Sequence, residues 1–388
     1  MGAWAGILTV RFTHRIEGDF HLKVGLIGLP QSGKTTLFHA LTRGEGSPAG
    51  GGSSAIVSVV PVPDARYEFA LKLFHPKKRT PATIEFTEGG AQITAGENRT
   101  QQKFGSDFFV GIRSVDALVL VVRAFETPSL PAPEGGLNPM KEYQTITEEL
   151  LLGDLGVVET RMARIDKQLS TRKTGVPSPE VAEREALVKI KAALDDFKPV
   201  SSVDLTDDER KMTRNFDFLT AKPLIAVANV GEGDIASGED LPLLAPLKEL
   251  CEAEGNEMIA LCASAEAEVA VLDDAEQREF LDALGIETPA RDRLIRAAYA
   301  ALGVMSFFTV GEDEVRAWTV DRKCRAQDAA GTIHSDLARG FIRAEVMAFD
   351  DLVAAKTWDA AKAANKLRLE GKDYPVKDGD ILHVRFKV

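Results

Sequence analysis

Cysteine is scarce in this sequence of 388 residues, and this excludes a fold stapled by disulfides. The three cysteines, Cys251, Cys262 and Cys324, are too few for a disulfide framework and suit a reducing cytoplasm. The histidines lack H-x-x-x-H spacing and the cysteines lack C-x-x-C spacing, so the sequence predicts no zinc site. Uncharged apolar runs of 18 residues are also lacking, so it predicts no transmembrane helix. We therefore expect a cytoplasmic protein without a membrane partner.

Basic residues are outnumbered by acidic ones, 47 against 59, which gives a net charge of −12. This balance argues against a protein that coats nucleic acid with its whole surface, and we expect no DNA partner. A local basic patch remains compatible with it. With 44% hydrophobic and 27% charged residues, the composition is that of a globular protein, and the length suggests two or three domains.

A glycine-rich segment follows the first buried strand, which we predict over residues 22–28. From Gly28 to Thr35 it matches G-x-x-x-x-G-K-[ST], and an amphipathic helix comes next. Gly28 and Gly33 let backbone N–H groups wrap phosphates, Lys34 reaches the β- and γ-phosphates, and the Thr35 hydroxyl ligates Mg²⁺. The predicted phosphate contacts are Gly28, Leu29, Pro30, Gln31, Ser32, Gly33, Lys34, Thr35 and Thr36.

The middle of the chain changes to a helical pattern. Apolar residues recur every three or four positions between about 142 and 197, with turn residues at 171–179, which predicts two antiparallel amphipathic helices. Two further buried strands are predicted at 223–230 and 257–263. The helical pair is therefore an insertion within an α/β domain. The last 85 or so residues are rich in predicted strands.

These motifs, in this order and spacing, resemble those of the YchF/Obg-like ATPase family of P-loop proteins. The similar segments are residues 28–41, 59–64, 219–223, 229–232, 262–266, 315–320, 340–346 and 368–374. The resemblance implies an α/β fold with three parts. They are a P-loop domain (22–140 and 215–302), an inserted antiparallel coiled-coil arm (141–214) and a C-terminal TGS-type β-grasp domain (303–388). Residues 1–21 would form a disordered or fraying N-terminal extension.

The base-recognition segment of the resemblance is Asn229-Val230-Gly231-Glu232. Ordinary GTPases use N-K-x-D, in which the aspartate accepts two hydrogen bonds from guanine; here Val230 replaces the lysine and Glu232 the aspartate. Losing such a bidentate contact costs roughly 1–3 kcal/mol, which is enough to erase a preference for guanine. The resemblance implies the use of ATP, because the family carries a similar substitution. By the same resemblance, Cys262, Ala263 and Ser264 lie near the base. Alternatively, Asn229 is a strand-end cap and Glu232 a solvated acid.

The second switch departs from the family pattern D-x-A-G. Glu88 stands where an aspartate would organise the Mg²⁺ shell, and Gln92 where the family has a hydrophobic residue. In one interpretation Gln92 positions the attacking water. In the other interpretation, which we favour, the switch has decayed and hydrolysis is slow. A third alternative is that Gln92 is an exposed loop residue without a role in catalysis. We expect Glu88 and Ser53 to ligate Mg²⁺ together with Thr35. Alternatively, Ser53 is part of a flexible Gly/Ser loop and does not bind the metal.

A basic cluster in the C-terminal segment surrounds one aromatic residue. Arg316, Arg322, Lys323 and Arg325 lie near Trp318 in the sequence, which is weak evidence for an RNA contact. Trp318 alternates with Val320, as core residues of a strand do, so we expect it in the core.

The resemblance implies a monomeric, Mg²⁺-dependent protein that hydrolyses ATP slowly and acts as a switch on the ribosome or its RNA. Lys34 and Gln92 would be its catalytic residues. Two alternatives stay open: a regulatory module that binds nucleotide without hydrolysing it, and an RNA- or ribosome-binding scaffold with a degenerate switch. GTP hydrolysis fits the base-recognition segment less well.

Overall fold

The structure, a computed structural model, contains two sheets of six or more strands and many helices. It describes residues 15–16, 19–20, 22–48, 56–88, 94–95, 102–103, 106–170, 179–283, 286 and 288–387. Strands β1 to β17 are Arg15–Ile16, Asp19–Phe20, Lys23–Gly28, Ser47–Pro48, Ile56–Pro61, Lys78–Thr80, Thr83–Glu88, Thr94–Ala95, Gln102–Lys103, Ala117–Ala124, Leu224–Val230, Glu257–Leu261, Val304–Thr309, Glu314–Asp321, Phe341–Met347, Arg368–Glu370 and Ile381–Phe386. Helices α1 to α14 are Lys34–Thr42, Ala65–Phe74, Ser106–Arg113, Pro139–Ser170, Pro179–Asp195, Asp207–Thr213, Ala245–Glu254, Ala263–Ala270, Asp274–Ala283, Ala290–Ala301, Ala326–Ile333, Ser335–Arg339, Phe349–Ala355 and Trp358–Ala363.

The chain divides into two compact units, one of residues 1–22, 59–85 and 292–388, the other of residues 23–58 and 86–291. The four-part division expected from the sequence stays a prediction. Within the expected N-terminal extension, β1 and β2 pair antiparallel, so that segment is not wholly without structure. Residues 1–14 lie outside the described part of the chain.

A largely parallel sheet forms the centre of the unit made of residues 23–58 and 86–291. Its strand order is β12-β11-β10-β3-β7-β5-β4, and β3, β10, β11 and β12 pair parallel. Every residue of β10 is buried, as expected for a strand covered on both faces. The register sets Val121 beside Gly28 and Arg123 beside Asn229. The carboxyl ends of three parallel strands thus meet at the glycine-rich loop.

The predicted helical pair is confirmed as α4 and α5. At 1.5 Å per residue, the 32 residues of α4 span about 48 Å. The stripe predicted from the sequence faces the partner helix, since Val158 and Ile165 are buried against Leu187 and Ile190. Thr206 forms a capping box with Glu209 at the start of α6. The turn predicted at 171–179 lies almost wholly outside the described residues.

A buried carboxylate, Asp154, fastens the arm where it leaves the sheet. It lies on α4, is fully buried and accepts hydrogen bonds from the Leu219 and Thr220 N–H groups at 3.0 and 2.8 Å. The Thr220 hydroxyl donates to it at 2.9 Å, and the Arg113 guanidinium at the end of α3 forms an ion pair at 3.1 Å. One side chain therefore joins α3, α4 and the segment that returns from the arm.

The other unit contains a six-stranded sheet of order β16-β15-β17-β13-β14-β6. Trp318 is 6% exposed, stacks on Phe307 and lies in a core cluster with Val320, which confirms the core interpretation. Arg316 packs over its ring at 3.8 Å, so the aromatic residue is unavailable to RNA bases. Strands β6 and β13 and the short helices α11 to α14 were not predicted from the sequence.

Among the described residues, no helix combines the length and the apolar character that crossing a bilayer requires. All three cysteines are buried, and none of them forms a disulfide.

We predict that Asp154→Asn lowers the free energy of unfolding by about 3 kcal/mol. Removing one partner of a buried ion pair leaves the other charge and its donors unsatisfied. Urea denaturation followed by circular dichroism measures the change. Asp313→Asn is the matched control, because Asp313 is 90% exposed in its ion pair with Lys77. Equal midpoints for the two variants would contradict this account of Asp154.

Candidate functional site

The glycine-rich loop joins β3 to α1 and has little room for side chains. Gly33 has φ +91°, in the left-handed region, and a Cβ built on it would lie 2.1 Å from Asn229 Nδ2. A Cβ on Gly28 would lie 2.4 Å from the Val121 carbonyl oxygen. Both glycines of the motif are therefore required by close approach of neighbouring groups. The backbone between them is free to wrap a phosphate group, as the motif predicts.

Lys34 is held inside its own loop. Its Nζ donates hydrogen bonds to the carbonyl oxygens of Gly28 and Leu29, both at 2.8 Å. Burial lowers the pKa of Lys34, while the charges of Glu88 and Glu142 act in the opposite direction. The ammonium group is thereby positioned over the loop where a triphosphate would lie.

Two side-chain oxygens that could ligate a metal meet beside this lysine. The Thr35 hydroxyl donates to Glu88 Oε1 at 2.5 Å, and Glu88 is 8% exposed. Although a glutamate is longer than the family's aspartate, it reaches the threonine directly. Hydroxyl and carboxylate oxygens are the ligand types that Mg²⁺ prefers, so this pair fits the ion. The other predicted residues on this side, Ser53 and Gln92, lie outside the described part of the chain.

Elsewhere in the described residues, three or more His, Cys, Asp or Glu side chains nowhere come together as a metal-binding set.

Asn229, at the end of β11, connects the phosphate loop to the segment after β12. It is 4% exposed; its Nδ2 donates to the Ser32 carbonyl at 3.0 Å, and its Oδ1 accepts from the Ala263 N–H at 2.9 Å. Both ends of the amide are therefore engaged within the protein. The Ser32 hydroxyl is buried and has no hydrogen-bond partner among the described residues, which leaves one unsatisfied polar group in the loop. A phosphate oxygen would satisfy it.

The remaining predicted base-side residues differ in exposure. Val230 and Cys262 are buried, and Cys262 Sγ lies 3.2 Å from the Ser264 hydroxyl. Glu232 is exposed in a short 3₁₀ helix, Glu232–Asp234. The structure thus brings Asn229, Ala263 and the loop together, and leaves Glu232 at the surface.

Two residues of this region escaped the sequence analysis, Arg123 and Phe125. A Cβ on Gly33 or on Gly231 would lie 3.9 Å from Phe125, so this ring stands between the loop and the end of β11. Arg123 is 6% exposed and donates to three carbonyls, those of Phe125, Leu130 and Pro131. The signal that could have found it is a lone arginine in an otherwise apolar strand, since a buried charge needs partners.

Comparison with known proteins identifies the family. Residues 304–387 match the family model YchF-GTPase_C, described as a protein of unknown function (DUF933). The "Ribosome-binding ATPase YchF" of Bacillus subtilis (strain 168) is 41% identical over 370 residues, which cover 95% of this chain and 100% of that protein. The chain belongs to the YchF family. The YchF protein of Escherichia coli O157:H7, with the same printed name, is 37% identical over 369 residues, 94% of this chain and 99% of that protein.

A solved YchF structure has the same fold. The Schizosaccharomyces pombe protein described as a "YchF GTPase" is 29% identical, with a TM-score of 0.81, and the match covers 96% of this chain and 100% of that one. These matches confirm the family resemblance and the α/β fold expected from the sequence. The printed names differ in the nucleotide, ATPase for the bacterial proteins and GTPase for the yeast one.

We predict that Gly33→Ala abolishes nucleotide binding, whereas Gly44→Ala keeps it. Both glycines have positive φ, but only at Gly33 does a Cβ meet another side chain; at Gly44 nothing lies within 4 Å. Each alanine carries backbone strain of order 1–3 kcal/mol, so only the clash with Asn229 distinguishes them. Isothermal titration calorimetry with ATP measures the effect. Equal affinities in the two variants would refute the close-approach argument.

Proposed function

We propose that this chain is a Mg²⁺-dependent ATPase that associates with the ribosome and changes its switch segments with the bound nucleotide. The observation that carries the proposal is the assembly at the carboxyl ends of β3, β10 and β11. There the glycine-rich loop, Lys34, the pair Thr35 and Glu88, and Asn229 lie together. The printed names of the bacterial relatives, "Ribosome-binding ATPase", support both the nucleotide and the partner.

In this proposal the chain mainly positions and neutralises the triphosphate. The N–H groups of residues 28–36 wrap the phosphates, and Lys34 exchanges its two carbonyl partners for phosphate oxygens. Thr35 and Glu88 would bind Mg²⁺, together with Ser53 from the Gly/Ser loop that follows α1. When bound there, Mg²⁺ would neutralise part of the negative charge of the triphosphate. Gln92 would orient the attacking water, and the altered second switch would keep hydrolysis slow.

The residues expected around the base favour adenine over guanine. Val230 is buried, so no lysine packs on the base, and the acidic residue three positions after Asn229 is an exposed glutamate. Asn229, which already bonds Ser32 and Ala263, would act by fixing the loop relative to Ala263 and Ser264 around the base. Cys262, which precedes Ala263 in the chain, is a small buried residue. With Glu232 exposed, the guanine-specific bidentate contact of ordinary GTPases has no counterpart.

A second candidate is a module that binds ATP without hydrolysing it. The hydrogen bond between Thr35 and Glu88 favours it, because the carboxylate engages the hydroxyl that would ligate Mg²⁺. In this case the ion and Glu88 would compete for Thr35. Both candidates bind ATP, but only the ATPase hydrolyses it.

We predict that Lys34→Ala weakens ATP binding about 100-fold and removes hydrolysis. Lost charge-assisted contacts to phosphate account for about 3 kcal/mol, a factor of about 100. Lys72→Ala, at an exposed position of α2, is the control and should behave as wild type. Single-turnover hydrolysis of labelled ATP, with protein in excess, gives the rate directly.

The same assay separates the candidates. Phosphate release by wild type, slowed in Gln92→Leu, supports the ATPase. Binding without phosphate release identifies the non-hydrolytic module. Full ATP affinity in Lys34→Ala would contradict both.

A further inference from the structure

A cavity of about 450 Å³ lies at the base of the arm, between α3 and α4. Phe109 of α3 packs against the core of the sheet, whereas Val157 of α4 and Phe216 pack against the core of the arm. The cavity therefore marks the seam where these two cores meet. Its volume falls within the range of small-molecule sites, about 300–1,000 Å³. None of the described residues that line it belongs to the phosphate loop or to the segments expected around the base.

Two glycines in the interior of α4 form one wall of the cavity, Gly153 and Gly156. A Cβ on Gly153 would lie 2.7 Å from Phe109 Cε1, so the aromatic ring packs on bare helix backbone there. Gly156 is exposed, and a Cβ on it would meet no described neighbouring group within 4 Å. Glycine is less favourable than alanine in a helix interior. Packing thus explains Gly153 but not Gly156, whose missing side chain leaves the cavity open.

The charged lining of the cavity is entirely basic. Arg113, Arg161 and Arg164 border it, and none of the nine described lining residues is acidic. Arg113 is paired with Asp154 at 3.1 Å, and Arg161 forms a bidentate pair with Glu183 at 2.6 and 2.7 Å. Arg164 is exposed and has no hydrogen-bond or ion-pair partner among the described residues. One guanidinium group at the rim is thus available to a ligand.

Thr160 supplies a second donor beside Arg164. The two residues are four positions apart on α4 and therefore lie on the same face of the helix. Within the described part of the chain, the Thr160 hydroxyl has no hydrogen-bond partner either. Guanidinium and hydroxyl groups both donate to oxyanions, and the phenyl rings of Phe109 and Phe216 favour contact with another aromatic ring. The lining thus matches a ligand with an aromatic body and one negatively charged oxyanion group.

We propose that this α3–α4 cavity binds a small aromatic anion. The ring of the ligand packs among Phe109, Val157 and Phe216, and its carboxylate or phosphate group accepts hydrogen bonds from Arg164 and Thr160. Because the chain as a whole carries a charge of −12, a cavity whose charged lining is only basic is a local exception that selects for anions. The inference goes beyond the proposed function and does not depend on it.

The test is a fluorescence titration of the full chain with two matched probes. Anilinonaphthalene sulfonate carries an aromatic body and an oxyanion, and phenylnaphthylamine has the same rings without the sulfonate. We expect the sulfonate to bind wild type at a saturable site and more tightly than the neutral probe. Lys34→Ala, which alters the nucleotide site, should bind the sulfonate as wild type does, because Lys34 does not line the cavity.

R164Q tests the anionic half of the proposal. We expect it to bind the sulfonate about tenfold more weakly, since a hydrogen bond to a charged group is lost, and to bind the neutral probe as wild type does. R184Q is the matched control. Arg184 lies on the other arm helix, α5, where it is paired with Asp166, and it does not line the cavity. This variant should bind both probes with unchanged affinity.

G156L tests the location of the site. A leucine side chain at this position fills the cavity, so we expect the variant to lose both probes. Its melting temperature should equal or exceed that of wild type, because leucine is the better helix former. G111L is the matched control. Gly111 lies in α3, is exposed, has no described neighbouring group within 4 Å of a Cβ and does not line the cavity, so this variant should keep both probes.

Competition identifies the oxyanion that the cavity prefers. Displacement of the sulfonate probe by naphthoate indicates a carboxylate ligand, and displacement by naphthyl phosphate indicates a phosphate ligand. Displacement by neither compound would overturn the proposal, because the probe would then bind only as a dye.

Three further results would overturn it. Unchanged affinity of R164Q for the sulfonate, or an equal loss for both probes, would remove the role of the guanidinium group. Unchanged binding in G156L, or equal loss in G156L and G111L, would place the probes elsewhere. Loss of the sulfonate in Lys34→Ala would place it in the nucleotide site. If G156L melts below wild type, R164Q decides alone, because the exposed Arg164 supports no other described side chain.

Discussion

The side chain of Asn229 is the contact on which the nucleotide site depends. Its amide spans the gap between the glycine-rich loop and the segment after β12, by bonding Ser32 on one side and Ala263 on the other. Gly33 has to be a glycine because this amide lies where a Cβ would be. In the proposed site, Asn229 would thus set the spacing between the part that binds phosphates and the part that binds the base. In a buried position, leaving either end of the amide unpaired would cost about 1–3 kcal/mol.

The same principle recurs at two other points around this sheet. Asp154 joins α3, the arm and the returning segment, and Arg123 holds the segment that carries Phe125. Each is a buried polar or charged side chain whose partners are mostly backbone groups. Such contacts stabilise little in net terms, but they penalise every alternative arrangement, because a displaced partner stays buried and unsatisfied. Loops near the site are therefore fixed by polar contacts where apolar packing alone would leave them free to shift.

The sequence was sufficient for the parts that follow from periodicity or from a rigid motif. The strand before the glycine-rich loop, the buried strands β11 and β12 and the two arm helices lie where the pattern predicted them. Long-range partners could not be predicted, because nothing local marks them. The bond of Asn229 to Ser32 spans 197 positions. In the C-terminal unit the short helices α11 to α14, of five to eight residues, are too brief to establish a period. Strand β6 escaped because three mostly exposed polar residues carry no strand signal.

The most direct test of this account is parallel calorimetric titration of the wild-type protein with ATP and with GTP, each with Mg²⁺. The central claim is that the loop and Asn229 build a nucleotide site whose base side lacks the guanine-specific contact. It predicts micromolar ATP binding, about −8 kcal/mol, with GTP at least tenfold weaker. Equal affinities, or tighter binding of GTP, would contradict the assignment of the base side. Absence of binding by either nucleotide would contradict the assignment of the site as a whole.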